Sequence, residues 1–326
     1  MGAPKWPPIP PNVRKRPGKP GPLLFAPAKP ALESGNPPSV AYNAATMDFR
    51  YVICDVFTDT PLAGNQLAVF TDARLIPEKL LQPIAREMNL SETVFVYPAA
   101  AGGHARIRIF TPFNELPFAG HPVLGSAFVL AAPLQLPTIV LETGLGLVPI
   151  VLERDGPRIT FGRMTQPLPT ITPEPAATAI VAALGGVKGV LPVERYVNGP
   201  THVLVTIASP DEVAKLAPDM GALARATPAA VSCFAGRERS WKTRMFAPGH
   251  GINEDPATGS AAGPLACHLV RHGLIQPGDE IQITQGVEMG RPSTLFARVS
   301  GTRERIERVE VGGCAVSVAR GEFRLQ

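Results

Sequence analysis

From residue 49 onward, short apolar runs alternate with polar punctuation, and the runs follow two different periods. Residues 49–57 (FRYVICDVF) are aromatic and β-branched, the make-up of a strand. The turn DTPLAGN and a second short strand at 66–70 follow. Residues 77–89 (PEKLLQPIAREMN) place apolar positions at helical spacing, with charges on one face and Pro77 at the start. Strands are predicted at 93–97 and 105–110. The pattern then gives a buried helix over 121–132 with Pro122 in its first turn, and strands near 138–142, 147–152 and 158–161. The same order returns further on: a strand at 201–207, a short helix at 210–216, and strands at 230–235 and 241–246. A helix of small residues over 258–272 comes next, with strands near 280–284, 294–299 and 307–311.

The recurrence extends to residue identities. Arg108-Ile-Phe-Thr-Pro112 matches Arg244-Met-Phe-Ala-Pro248. The triplet Gly125-Ser126-Ala127 follows the first motif and Gly259-Ser260-Ala261 the second, and Val94-Phe95-Val96 corresponds to Cys233-Phe234-Ala235. The expected architecture is therefore α+β, with strands wrapped around one central helix, made twice. Its halves are 47–164 and 165–326, joined in the Pro-rich stretch 165–175, with the final residues able to return to the first half.

Residues 1–46 hold 12 of the 37 prolines and no sustained hydrophobic period, so they read as a disordered extension. The segment lacks the apolar core of a secretory signal. Being basic and acid-poor it is loosely like a transit peptide, and an upstream start with Met47 as the true beginning is an equal alternative. It carries six basic residues and Glu33, which changes the meaning of the net charge of +4: from Met47 onward there are 25 basic and 26 acidic residues. A near-neutral body is not that of a nucleic-acid binder. No apolar run reaches the roughly 18 residues that a membrane span requires. Cys54, Cys233, Cys267 and Cys314 are scattered and form no CxxC pair, which suits free thiols in a reducing, cytoplasmic compartment.

Polar residues interrupt the apolar pattern in three segments, 89–94 (NLSETV), 115–122 (ELPFAGHP) and 254–260 (EDPATGS). Glu92 stands one residue before an apolar strand, where a partly buried carboxylate can act as general base or acid; taken alone, it is a turn or cap residue. His121 and Asp255 each precede a helix of small residues. Alone, they read as a structural histidine and a helix cap. Paired in both halves, they point to two helix N-termini converging on an anionic substrate without a metal. His268 and His272 lie four apart on a helix, but no nearby acidic residue completes a zinc motif, so no metal is expected there. The glycines of 144–146 and 185–189 match no nucleotide-binding pattern, and no lysine is placed for a Schiff base. No cofactor is expected.

With these residues in view, the chain resembles the phenazine-biosynthesis (PhzF-like) isomerase family over nearly all of residues 49–322. The resemblance rests on DVFTDTPLAGNQLAV (55–69), NLSETVFV (89–96), RIFTPFNELPFAGHPVLG (108–125), ETGLGLVPI (142–150), RMFAPGHGINEDPATGSA (244–261) and QGVEMGRPS (285–293). It implies two similar domains of the diaminopimelate-epimerase-like fold, each a curved mixed sheet around a helix, in a homodimer without cofactor. It also implies Glu92 as the acid/base, assisted by His121 and Asp255. The backbone around Gly120, His121, Gly259 and Ser260 would receive the substrate carboxylate, with Asn65, Ser91 and Thr258 shaping the site. The chain departs from the family in its long N-terminal extension, and in Val123 and Leu124 where a Thr often follows His-Pro.

The resulting expectation is a proton transfer between carbons of a small carboxylate, with Glu92 as base and then acid. A racemase or epimerase on the same fold is a rival, although related epimerases use two facing cysteines and the four here lie elsewhere. A non-catalytic binder of an anionic metabolite is the rival from another class.

Overall fold

The structure is a computed structural model that describes residues 47–325. The expectation of a disordered extension over 1–46 lies outside the described residues. The described residues form one compact unit. No helix among the described residues is long and apolar enough to cross a membrane.

The architecture is α+β: a mixed sheet of 18 strands with two long buried helices and several short ones. Six strands of the first half run in a fixed pattern. Asn65–Phe70 pairs parallel with Glu92–Tyr97, which pairs antiparallel with Ala105–Phe110. That strand pairs parallel with Thr138–Thr143, followed antiparallel by Gly146–Asp155 and Arg158–Gln166. The second half copies it through Thr201–Thr206, Ala230–Arg237, Ser240–Ala247, Glu280–Gln285, Ser293–Gly301 and Ile306–Gly313. The halves share hydrogen bonds where Arg158–Gln166 meets Ile306–Gly313. The last strand, Ala315–Leu325, returns to pair antiparallel along the whole of Met47–Val56.

Both central helices are largely apolar and buried around most of their circumference, as suits a helix enclosed by sheet. Gly120–Leu134 buries its first nine residues and Ala131, and Gly259–Arg271 buries everything from Gly259 to Val270. The repeat is offset in one respect. His121 lies within the first turn of its helix, whereas Asp255 ends the strand Ile252–Asp255, ahead of helix residue Gly259. The helix starts therefore equate Gly120 with Gly259. The two Gly-Ser-Ala triplets, matched by identity at similar distances from the motif, sit at different depths in their helices. In the second half a 3-10 turn, Pro248–His250, stands between motif and helix.

The repeated arginines are equivalent in form and unequal in burial. Arg108 lies over the Phe110 ring and grips Glu115 with two bonds of 2.7 Å; Arg244 lies over Phe246 and grips Glu254 with two of 2.8 Å. The Arg244 side chain is only 10% exposed and Nη1 donates to the Leu216 and Ala214 carbonyls, at 2.7 and 3.1 Å. The acidic partners of Arg108 are largely solvated. Breaking a buried pair strands its partner, whereas an exposed one is screened. In urea unfolding, Arg244→Met should lose about 3 kcal/mol or more, and Arg108→Met about 1 kcal/mol or less. Equal losses would contradict this account.

Candidate functional site

The two central helices meet end to end. A Cβ on Gly120 would stand 2.5 Å from both the Gly259 carbonyl carbon and the Ser260 nitrogen, so only glycine permits the approach. First-turn amides have no intrahelical acceptor, and two abutting N-termini concentrate positive potential at one point. Three amides grip the back of the second start: Gln166 donates to the Gly259 carbonyl (2.9 Å), Asn198 to the Ser260 carbonyl (3.0 Å), and the Gln285 Nε2 to the Asp255 carbonyl (2.8 Å).

In front of this junction lies a cavity of about 330 Å³. Glu92, Gly120, His121, Asp255, Thr258, Gly259 and Ser260 all line it, from segments distant in sequence. Glu92 opens the strand Glu92–Tyr97, and its side chain is only 11% exposed. Its Oε2 lies 3.1 Å from His121 Nε2, yet neither atom is aligned for a hydrogen bond, and both are buried without a partner. Two buried polar atoms with unfilled capacity are costly for folding alone and mark where a ligand can complete the network.

Asn65 and Ser91 act from behind. Asn65 is fully buried; its Nδ2 donates to Asp255 Oδ1 (2.8 Å) and the Ala257 carbonyl (2.9 Å), and lies 3.3 Å from His121 Nδ1. The Thr258 hydroxyl donates to Asp255 Oδ2 at 2.6 Å, and Ser91 also bonds this carboxylate. Asp255 is thus held by both halves of the chain.

Burial dominates the electrostatics. It raises the Glu92 carboxyl well above the usual carboxylate range, and the Asp255 charge pushes in the same direction. Burial raises Asp255 to about 6, against the bonds from Thr258, Asn65 and Ser91 that favour its charged form. His121 is lowered to about 3 by burial, opposed by a bond to the Gln66 backbone, so its imidazole is neutral. Two interacting carboxyls beside a neutral imidazole can hold a proton and release it, as acid/base work near neutral pH requires.

The far wall was not foreseen. His202, Arg195, Thr201 and His250 line it. His202 is buried, with Nε2 3.0 Å from the Ser260 hydroxyl, Nδ1 without a partner and its pKa lowered to about 4 by burial. A histidine inside the apolar strand Thr201–Thr206 was the available sequence signal. Arg195, bound to Glu174 at 2.8 Å, offered none. None of the four cysteines lines the cavity, and burial raises the Cys54 and Cys267 thiols to about 12. A facing-thiol mechanism has no residues here.

The chain is similar to known proteins in both sequence and fold. The sequence model of the family described as "Phenazine biosynthesis-like protein" matches residues 54–321. A trans-2,3-dihydro-3-hydroxyanthranilate isomerase of Pseudomonas fluorescens is 49% identical over 276 residues, covering 85% of this chain and 99% of that protein. Among solved structures, a predicted epimerase of Pseudomonas aeruginosa superposes with a TM-score of 0.73 at 31% identity, over 84% of this chain and 99% of that one. A PhzF-family protein of Bacillus anthracis gives the same TM-score at 22% identity, over 85% and 99%, a likeness of fold.

Proposed function

The chain is an isomerase of the phenazine biosynthesis-like (PhzF) family, and on that premise we propose that it moves a proton between two carbons of a small carboxylate-bearing substrate. The observation that carries this reading is the buried, unpartnered pair formed by Glu92 Oε2 and His121 Nε2, 3.1 Å apart and facing the cavity at the helix junction. The first candidate substrate is trans-2,3-dihydro-3-hydroxyanthranilate, the compound in the name of the relatives at 48–49% identity.

The substrate carboxylate is received by the amides of Gly120, His121, Gly259 and Ser260, where the helix dipoles favour negative charge. Ionised Glu92 takes a proton from carbon, and the neutral His121 imidazole and Asp255 hold the substrate against it. The electron pair left on the substrate is delocalised and stabilised by the same fixed dipoles. Glu92, now protonated, returns the proton to a second carbon, so no net proton or electron is exchanged. Burial raises the basicity of the Glu92 carboxylate and thereby brings it closer to a carbon acid.

Incubation with this compound in D2O, followed by proton NMR, tests both parts. Isomerisation is the expected result, with deuterium on the receiving carbon in the fraction of turnovers in which protonated Glu92 exchanges with solvent before returning its proton. If the compound binds but neither isomerises nor exchanges, the catalytic role fails. If it does not bind at all, the substrate assignment fails and other cyclic amino-carboxylates remain to be screened.

A further inference from the structure

We propose that Glu194, Tyr196, His268 and His272 form a binding site for one divalent cation of the zinc class, apart from the catalytic cavity. In sequence, His268 and His272 lacked an acidic partner; the fold supplies Glu194 from 74 positions away. His268 stands in the last turn of the second central helix and His272 caps its end one turn on, so their rings share a face, with centroids 4.5 Å apart. The strand Glu194–Val197 passes this face and brings Glu194 and Tyr196 to it.

Four potential ligand atoms converge. Glu194 Oε2 lies 3.0 Å from His268 Nδ1, 3.2 Å from His272 Nε2 and 2.9 Å from the Tyr196 hydroxyl, which is itself 3.0 Å from His268 Nδ1. Zinc bonds of about 2.0–2.1 Å set tetrahedral ligand edges of about 3.3 Å. Each of these four edges needs to open by only a few tenths of an ångström, a side-chain adjustment, and the ligand atoms of Glu194, His268 and His272 all lie within 4.8 Å of one another. One carboxylate oxygen also has three neighbours within hydrogen-bond reach, more than its two lone pairs serve well. A cation at the centre of the cluster would relieve that crowding. Imidazole, carboxylate and hydroxyl are a donor set suited to zinc and its neighbours rather than to calcium or magnesium. Arg271 lies 3.5 Å from the other oxygen, Oε1, leaving Oε2 free to ligate. The His272 side chain is 21% exposed, which gives a path in, while His268 is fully enclosed.

A cation here ties the last turn of the second central helix to the strand that carries Arg195 to the cavity wall. Binding couples to stability because the unfolded chain does not assemble the four donors. Untagged full-length protein, stripped with a chelator, is titrated with Zn2+ by calorimetry and with Co2+ by visible absorption. One equivalent per chain, the intense bands of four-coordinate cobalt and a rise in thermal midpoint with zinc are expected. His272→Ala alters a partly exposed residue and should fold; it should weaken Zn2+ binding by at least about 100-fold and abolish the cobalt bands. Glu194→Gln should do the same where it folds. Absence of saturable Zn2+ binding by the parent protein, or equal affinity in His272→Ala, overturns the proposal.

Discussion

Glu92→Gln should turn over about 100- to 10,000-fold more slowly than the parent, the usual worth of general acid/base catalysis, while keeping its fold. The amide preserves the shape and volume of the carboxyl but can neither take nor return a proton. Because Glu92 sits buried and makes no aligned hydrogen bond, removing its charge releases a strain of folding. The sign follows from linkage. A carboxyl whose pKa is raised on folding binds its proton more tightly in the folded chain, so stability is lost as pH rises through the folded value. The Gln variant escapes that loss. Its thermal midpoint should match or exceed that of the parent, with a margin that widens toward alkaline pH. The parent's kcat/KM should fall as pH drops through the apparent pKa values of the Glu92–Asp255 pair, which titrates as a unit, with Asp255 raised to about 6. Full turnover by Glu92→Gln, or a midpoint margin that shrinks as pH rises, would refute this assignment.

Gly120→Ala should be damaging in both stability and activity. The added methyl would meet two backbone atoms of the opposing helix start at 2.5 Å, and neither can swing aside as a long side chain could. Overpacking of this kind commonly costs about 1–3 kcal/mol, and the upper end applies because backbone must shift. Separating the helix starts also spreads the amides that receive the substrate carboxylate. KM should therefore rise at least about tenfold, a misplacement effect of the kind that follows from shifts near 1 Å. Urea unfolding and steady-state kinetics read the two effects separately. An alanine variant with unchanged unfolding midpoint and KM would show that the close approach of the helices does not matter.

The elements legible in the sequence are those whose burial differs from face to face or is complete. Strands such as Glu92–Tyr97 and the enclosed helices Gly120–Leu134 and Gly259–Arg271 stood out as apolar runs of the right length. Those not foreseen include Thr170–Pro173, Glu194–Val197 and Ile252–Asp255, which are short and owe their pairing to distant strands; for Ala315–Leu325 the sequence offered a return to the first half but no strand pattern, since most of it is partly or fully exposed. The helices Ala177–Ala183 and Met220–Ala226 were also missed, each only seven residues long. Glu92, His121 and Asp255 stood out as polar residues in an apolar pattern, two of them at matching places in the repeat, but each alone read as a turn, structural or cap residue, and it was the family motifs that gave them roles. Asn65, expected to shape the cleft, lies behind the wall and holds Asp255. Arg195 and the Glu194 contact with the two histidines depend on strand pairing across many residues, which no local period records.

The pairing of Ala315–Leu325 with Met47–Val56 bears on how the chain is made. On the ribosome, Met47–Val56 emerges well before its partner Ala315–Leu325. Until that partner emerges, one side of the nascent segment keeps its amides and carbonyls unsatisfied, open to any other extended polypeptide nearby. Completion of the first half thus waits on synthesis of the second, and that interval is when a chaperone guarding the open side would matter most.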